Sequence, residues 1–370
     1  MLLTLAAVIL AIGLVMVASA SISLADKLTG NPFYYLERQL VYALLGCAGG
    51  LLLYWMPLAW WQRCSYLLLI MAFLLLAVVL VPGIGRHVNG SIRWVVLGPF
   101  RLQVSEPARL LILMYLAGYM VRRQAELASS FMGSLKPMAL LGLAALLLLA
   151  EPDFGAAMVL IATAMAMLFF GGARLRDFAA FAVVGAAGFT VLAVSSPYRL
   201  ERLTGFLNPW NDPFASGFQL TQSLIAIGRG QFFGVGLGES VQKLFYLPEA
   251  HTDFLFAVLA EELGLFGSLL VISLYLMLTW RAITIARNAA RKQQMFGAYL
   301  AFGLGLWIGL QGFINIGVNT GVLPTKGLTL PLMSYGGSSL MVTCLAIALI
   351  LRVERETHAG RRWADREIAA

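Results

Sequence analysis

The sequence predicts an all-α polytopic membrane protein of about ten transmembrane helices, with a large extracytoplasmic loop between the seventh and the eighth. Three observations carry that expectation. Of the 370 residues 60% are hydrophobic and 12% charged, with a mean hydropathy of +0.83, far from the roughly 45–50% apolar and about 25% charged composition of a soluble domain. The apolar residues cluster into segments approaching the about 20 residues that a spanning helix needs. Lys and Arg divide unevenly between the connections on alternate sides, as membrane topology demands.

In chain order the segments are 2–20, 40–55, 64–81, 108–121, 138–150, 155–171, 178–194, 254–280, 297–318 and 330–351, the fourth to sixth being the shortest. The first lacks a basic leader and a small-residue cleavage site, so it reads as an uncleaved span. With both termini in the cytoplasm, 15 of the 26 Lys and Arg fall inside, and eight of the outer 11 lie in or beside two long loops, 82–109 and 195–252, where the charge rule is weak. That topology accounts for most of the net charge of +8, and no nucleic-acid partner is implied. Cys47, Cys64 and Cys344 fall in or at spans without CxxC spacing, which suits packing better than a disulfide framework or metal site. No soluble domain or repeat interrupts the chain, so residues 1–370 form one integral membrane domain.

The loop 195–252 is too long for a simple connection. Its part 218–233 is apolar with Gln219, Gln222 and Arg229 interspersed, which suits a helix lying on the membrane or dipping into it. The run GVGLGES at 234–240 fails as a dinucleotide loop, because Glu239 stands where the third glycine belongs and no βαβ unit surrounds it. Arg199, Arg202, Arg229 and Lys243, with Arg93 and Arg101 of the other long loop, form an outer set of cations that would draw an anionic headgroup. In the ninth span Gln311, Asn315 and Asn319 recur every four residues on one helical face, and such a stripe either joins helices or lines a cavity. Gly305 and Gly309 form a GxxxG suited to close packing.

Chemistry concentrates in PEAHTDFLFAVLAEELG, residues 248–264. An acid at the end of a membrane helix is neutralised, paired or used, which makes Asp253 the candidate; its structural alternative is a helix cap. His251 is a rival base. Glu261 and Glu262 lie about 12–14 Å deeper at 1.5 Å per residue and read as buried, paired acids. Asp153, in EPDFG, belongs either to the outer site or to a tight turn. Lys326, in GVLPTKGLTLPLMSYGGSS, sits beside a Pro and Gly cluster that breaks helix geometry, and broken backbone at membrane depth is tolerated only inside protein or along a cavity.

The stretches NPWNDPFASGFQLTQSLIAIGRGQFFGVGLGES, YLPEAHTDFLFAVLAEELG and LPTKGLTLPLMSYGGSS resemble the SEDS (shape, elongation, division and sporulation) family of membrane peptidoglycan glycosyltransferases, over essentially the whole chain. PTKGLTLP, with Lys326 and Thr329, is similar to the division branch. Two motifs depart from the pattern: QVSEPAR has Val104 for a usual Pro and Arg109 for a usual Lys, and the QPDLG-like turn carries Phe154 and Ala156. The resemblance implies polymerisation of lipid II at the outer face of the cytoplasmic (inner) membrane, at the division septum, by inverting transfer with release of undecaprenyl diphosphate. It implies Asp253 as general base, with Lys326, Arg93, Arg109, His251, Arg199, Arg202, Asp153 and Ser334 as the substrate-binding set. No cofactor is required by the residues, although a divalent cation, Mg2+ or Mn2+, would suit a diphosphate. Implied partners are a class B penicillin-binding transpeptidase of the FtsI type and the membrane proteins FtsQ, FtsL and FtsB. A lipid II flippase and a non-catalytic division scaffold are the alternatives.

Overall fold

The computed structural model describes residues 1–88, 91–98, 100–194, 205–213, 217–324 and 327–368. All ten predicted segments are helical over most of their length. They become α1 (Leu2–Thr29), α2 (Tyr34–Trp55), α4 (Ser65–Val79), α5 (Ser105–Arg122), α7 (Phe131–Ala150), α8 (Phe154–Phe170), α9 (Leu175–Val194), α11 (Leu255–Arg291), α12 (Met295–Asn319) and α13 (Gly337–Ile368). Between them lie the short helices α3 (Leu58–Arg63) and α6 (Gln124–Ser129), and α10 (Phe218–Gly230) in the large loop. Among the described residues six helices are long and apolar enough to cross a membrane, while Ser65–Val79 and Phe154–Phe170 are apolar but shorter.

Local chemistry sets several boundaries. Gly30, at φ 70°, closes α1 with its N–H on the Asp26 carbonyl, a left-handed cap that glycine adopts without strain. Ser130 accepts from Met132 N to open α7, and Asp153 accepts from Ala156 N to open α8. The GxxxG expectation holds: a Cβ at Gly305 would meet Ala282 Cβ at 2.3 Å and one at Gly309 would meet Thr279 Oγ1 at 2.5 Å, so α12 lies directly against α11.

Three expectations need correction. The loop 82–109 contains a three-stranded antiparallel sheet, β1 (Gly85–Val88), β2 (Ser91–Leu97) and β3 (Phe100–Gln103). Its register jumps from Arg86↔Trp94 to His87↔Ile92, leaving Arg93 at a bulge, a device that re-aims a side chain. The tenth helix starts at Gly337 rather than 330. The apolar run before it is non-helical, since Pro331 and the positive φ of Leu332 (66°) break the backbone. Finally, α11 is two helices joined at Gly264 (φ 66°, ψ −161°).

That break is built from partners. Val235 N and Gly236 N donate to the carbonyls of Glu261 and Glu262, and Leu265 N donates to the Gln231 carbonyl, so the Gly-rich run satisfies the backbone groups that the kink frees. A Cβ at Gly264 would stand 2.3 Å from Gly234 N. The two acids are buried and paired, as expected. Glu261 accepts from Ser240 Oγ (2.5 Å) and lies 3.4 Å from Arg229 NH1; Glu262 accepts from Lys243 Nζ (2.8 Å) and Ser19 Oγ (2.7 Å).

Candidate functional site

Asp253 occupies the turn that leads into α11, fixed where Phe254 N donates to the Glu249 carbonyl at 3.2 Å. The polar stripe of α12 locks this turn. Asn315 Nδ2 and Asn319 Nδ2 donate to the Asp253 carbonyl at 2.8 and 3.0 Å, and Asn319 Oδ1 accepts from Ala257 N at 3.1 Å, in the first turn of α11. Asn315 Nδ2 also holds the Leu328 carbonyl (2.6 Å), and Gln311 Nε2 holds that of Thr329 (3.0 Å). Helix joining is therefore the stripe's role, and what it joins is the Asp253 turn to the non-helical segment before α13.

With its backbone so held, the Asp253 carboxyl is half-buried and, among the described residues, accepts no hydrogen bond. Gly327 backs it closely enough that a Cβ there would lie 3.0 Å from Asp253 Oδ2. Burial pushes the carboxyl up to about 7, the charges of Glu249 and Asp153 push the same way, and Arg93 opposes them. Such an acid changes charge near neutrality.

The remaining predicted residues divide by geometry. Arg93 comes closest to expectation: its NH1 lies 3.7 Å from Asp153 Oδ1 and its side chain is 23% exposed. Asp153 takes the turn arrangement, its buried carboxylate accepting from Ala156 N (3.1 Å), Ser105 Oγ (2.9 Å) and Gln103 Nε2 (3.2 Å). Arg109 also turns inward. It is 1% exposed, donates to Gln311 Oε1 (2.7 Å), lies 3.6 Å from Glu106 and sits over the Trp307 ring. Ser334 is buried, its Oγ accepting from Leu330 N (2.9 Å) and its carbonyl from Gln39 Nε2 (3.0 Å). His251 is buried against Tyr35 and Tyr335, with ring centroids 4.6 and 5.6 Å away. Burial lowers its pKa and favours neutral imidazole. Lys326, Arg199 and Arg202 lie outside the described residues.

Two neighbours escaped the sequence reading as site residues. Glu151 is fully buried with both carboxyl oxygens unpartnered among the described residues, and burial, then Asp153, pushes it up to about 8. Gly327 gave no signal beyond its place in a Pro and Gly cluster.

Fold and site together define a multi-pass helical membrane protein with a carboxylate at the mouth of a broken helix. A family model described as "Cell cycle protein", FTSW_RODA_SPOVE, matches residues 1–359, and the chain belongs to that family. It is 61% identical over 349 residues to the probable peptidoglycan glycosyltransferase FtsW of Thioalkalivibrio sulfidiphilus, covering 94% of this chain and 87% of the relative. It is 55% identical to the protein of the same name from Coxiella burnetii, covering 94% of each. Among solved structures it is similar to a chain of a peptidoglycan synthase complex that coordinates polymerization and crosslinking (TM-score 0.75, 32% identity, 96% and 97% covered). It is also similar to the rod shape determining protein RodA of Thermus thermophilus (TM-score 0.71, 30% identity, 96% of each covered).

Proposed function

We propose that this chain is a peptidoglycan glycosyltransferase that polymerises lipid II at the outer face of the cytoplasmic membrane during division. The names carried by its relatives support the reaction class. The observation that carries the assignment of roles is Asp253: a half-buried carboxyl near pKa 7 with its backbone pinned and its oxygens unbonded among the described residues. A general base works best with a pKa near the operating pH.

In this reading the C4 hydroxyl of the acceptor GlcNAc attacks the anomeric carbon of the donor MurNAc. Its proton passes to Asp253, the new C–O bond forms as the bond to the diphosphate breaks, and undecaprenyl diphosphate leaves with the electron pair. Arg93 supports the developing negative charge, Lys326 joins it on the strength of the family resemblance, and Arg199 and Arg202 join as outer-loop cations that draw an anionic headgroup. Among the described residues no three His, Cys, Asp or Glu side chains gather as a metal group. Mg2+ or Mn2+ would therefore come mainly on substrate phosphates, as is usual for Mg2+, and the proton transfer belongs to the protein.

Both termini are cytoplasmic in this reading, which puts Asp253 outside, and the division branch places the protein at the septum. A transpeptidase of the FtsI type is the main partner, supported by the similarity to a synthase complex, with FtsQ, FtsL and FtsB as further contacts. A flippase would be expected to use ionisable groups midway across the membrane, whereas Glu261 and Glu262 are already paired inside protein.

The test is lipid II polymerisation by the purified protein in detergent, where no second compartment exists. Asp253→Asn is expected to lose about 10²- to 10⁴-fold in rate, the usual worth of a general base, while eluting normally from size exclusion. Undiminished glycan synthesis by that variant overturns the base assignment, and a wild-type protein that makes no glycan even with its transpeptidase overturns the enzyme.

A further inference from the structure

Between α1, α2 and α13 lies a cavity of about 900 Å³ that no step of the proposed reaction uses. Its charged end is far from Asp253. Tyr335 N bonds the His251 carbonyl (2.9 Å) just before α13 begins, and Arg355 stands 18 residues beyond Gly337, about 27 Å along the axis. The walls are apolar, formed by Leu10, Ile347 and Leu351 with Leu3 and Leu51. These last two are 62% and 59% exposed, so the cavity opens sideways to the space that lipid fills.

Its two ends differ. One is closed by Leu332, in the non-helical segment before α13, and the other by Arg355 and His358, one helical turn apart and both exposed. From Cys344 on the wall to Arg355 is eleven residues, about 16 Å of helix, which matches one leaflet of a hydrocarbon core about 30 Å thick. Glu354 at the same rim is bonded to Arg281, and Glu356 to Arg352 at 2.8 Å. Among the described residues Arg355 meets no carboxylate, only the rings of Trp55 (4.5 Å) and Tyr54 (5.1 Å), aromatic types typical of the membrane–water boundary.

We infer that this cavity binds an anionic glycerophospholipid of the leaflet opposite Asp253, with an acyl chain along the groove and the headgroup phosphate at Arg355 and His358. A slot of one-leaflet depth, open to the side and ending in an uncompensated cation at a Trp and Tyr rim, fits that ligand in shape and charge. The acyl terminus reaches Leu332. The same segment bonds the His251 carbonyl through Tyr335 and is tied to the Asp253 turn through Asn315, so the lipid braces the floor of the site from the opposite leaflet.

The test is native mass spectrometry of the full chain in detergent, titrated with phosphatidylglycerol or phosphatidylcholine. Wild type is expected to retain one phosphatidylglycerol in preference to phosphatidylcholine. Arg355→Gln weakens that binding about fivefold, the worth of one basic group near a surface. Ala7→Phe, at an exposed wall position, removes it by filling the groove, and both variants keep the wild-type size-exclusion profile. A measurement on wild type alone stands beside these: Cys47, exposed on the same wall, is alkylated more slowly in phosphatidylglycerol than in phosphatidylcholine. Equal retention of the two lipids, undiminished phosphatidylglycerol binding in both variants, an unchanged alkylation rate, or a lipid-free dimer with Cys47 shielded would each overturn the inference.

Discussion

Asn319 holds Asp253 by its backbone: Nδ2 donates to the Asp253 carbonyl at 3.0 Å while Oδ1 of the same amide accepts from Ala257 N at 3.1 Å. One side chain thus ties the catalytic candidate to the first turn of its own helix and leaves the carboxylate out of the network. The acid is positioned while its oxygens stay open to a proton donor, as the proposed base role requires.

Asn319→Ala removes both bonds, each worth roughly 0.5–1.5 kcal/mol net, because the Asp253 carbonyl keeps Asn315 and Ala257 N keeps the Phe254 carbonyl. The expected result is a lower melting temperature and a fall of about 10- to 100-fold in turnover, since a displacement near 1 Å can cost that much. Lipid II polymerisation alongside thermal unfolding checks it. Wild-type turnover with only the stability loss would confine Asn319 to helix joining.

The rate of polymerisation should rise with pH through about 7 and level off once Asp253 is ionised. Stability runs the other way. The folded chain holds this proton above the ordinary value of 3.8, so stability present at acid pH is lost as pH rises from about 4 through about 7. Asp253→Asn escapes that loss: it should melt higher than wild type at pH 8, by a margin on the order of 1–2 kcal/mol after solvent screening, and like wild type near pH 4. A pH series of melting curves for both proteins measures it.

Glu151→Gln is expected to leave turnover at pH 7 nearly unchanged, because burial holds this carboxyl protonated up to about 8 and the amide copies its shape. In stability the variant should draw level with wild type near the ordinary carboxylate value of 4.5 and gain on it as pH rises through about 8, where the advantage levels off. Loss of activity at pH 7 with unchanged stability would instead make Glu151 a participant in the reaction.

Gly327→Ala places a methyl 3.0 Å from Asp253 Oδ2. The strain of that contact falls on the carboxyl. Turnover should fall about tenfold through misplacement of the proposed base, with a melting temperature within a few degrees of wild type. Unchanged turnover would show that Asp253 has room to move.

The sequence by itself determined the ten helical segments, the GxxxG contact of α12, the burial of Glu261 and Glu262, and Asp253 as the acid at a helix mouth. These follow from local properties: apolar runs, residue spacing, and the cost of an ionisable group at membrane depth. Tertiary structure alone decided which polar groups meet. Asn315 and Asn319 reach Asp253 across 62 and 66 residues, Arg109 turns inward to Gln311 across 202, and a small sheet with a bulge at Arg93 forms where a loop was expected. Composition and periodicity say that a polar side chain in a membrane must find a partner. Which partner it finds depends on helix packing that brings distant parts of the chain together, and no local pattern encodes that choice.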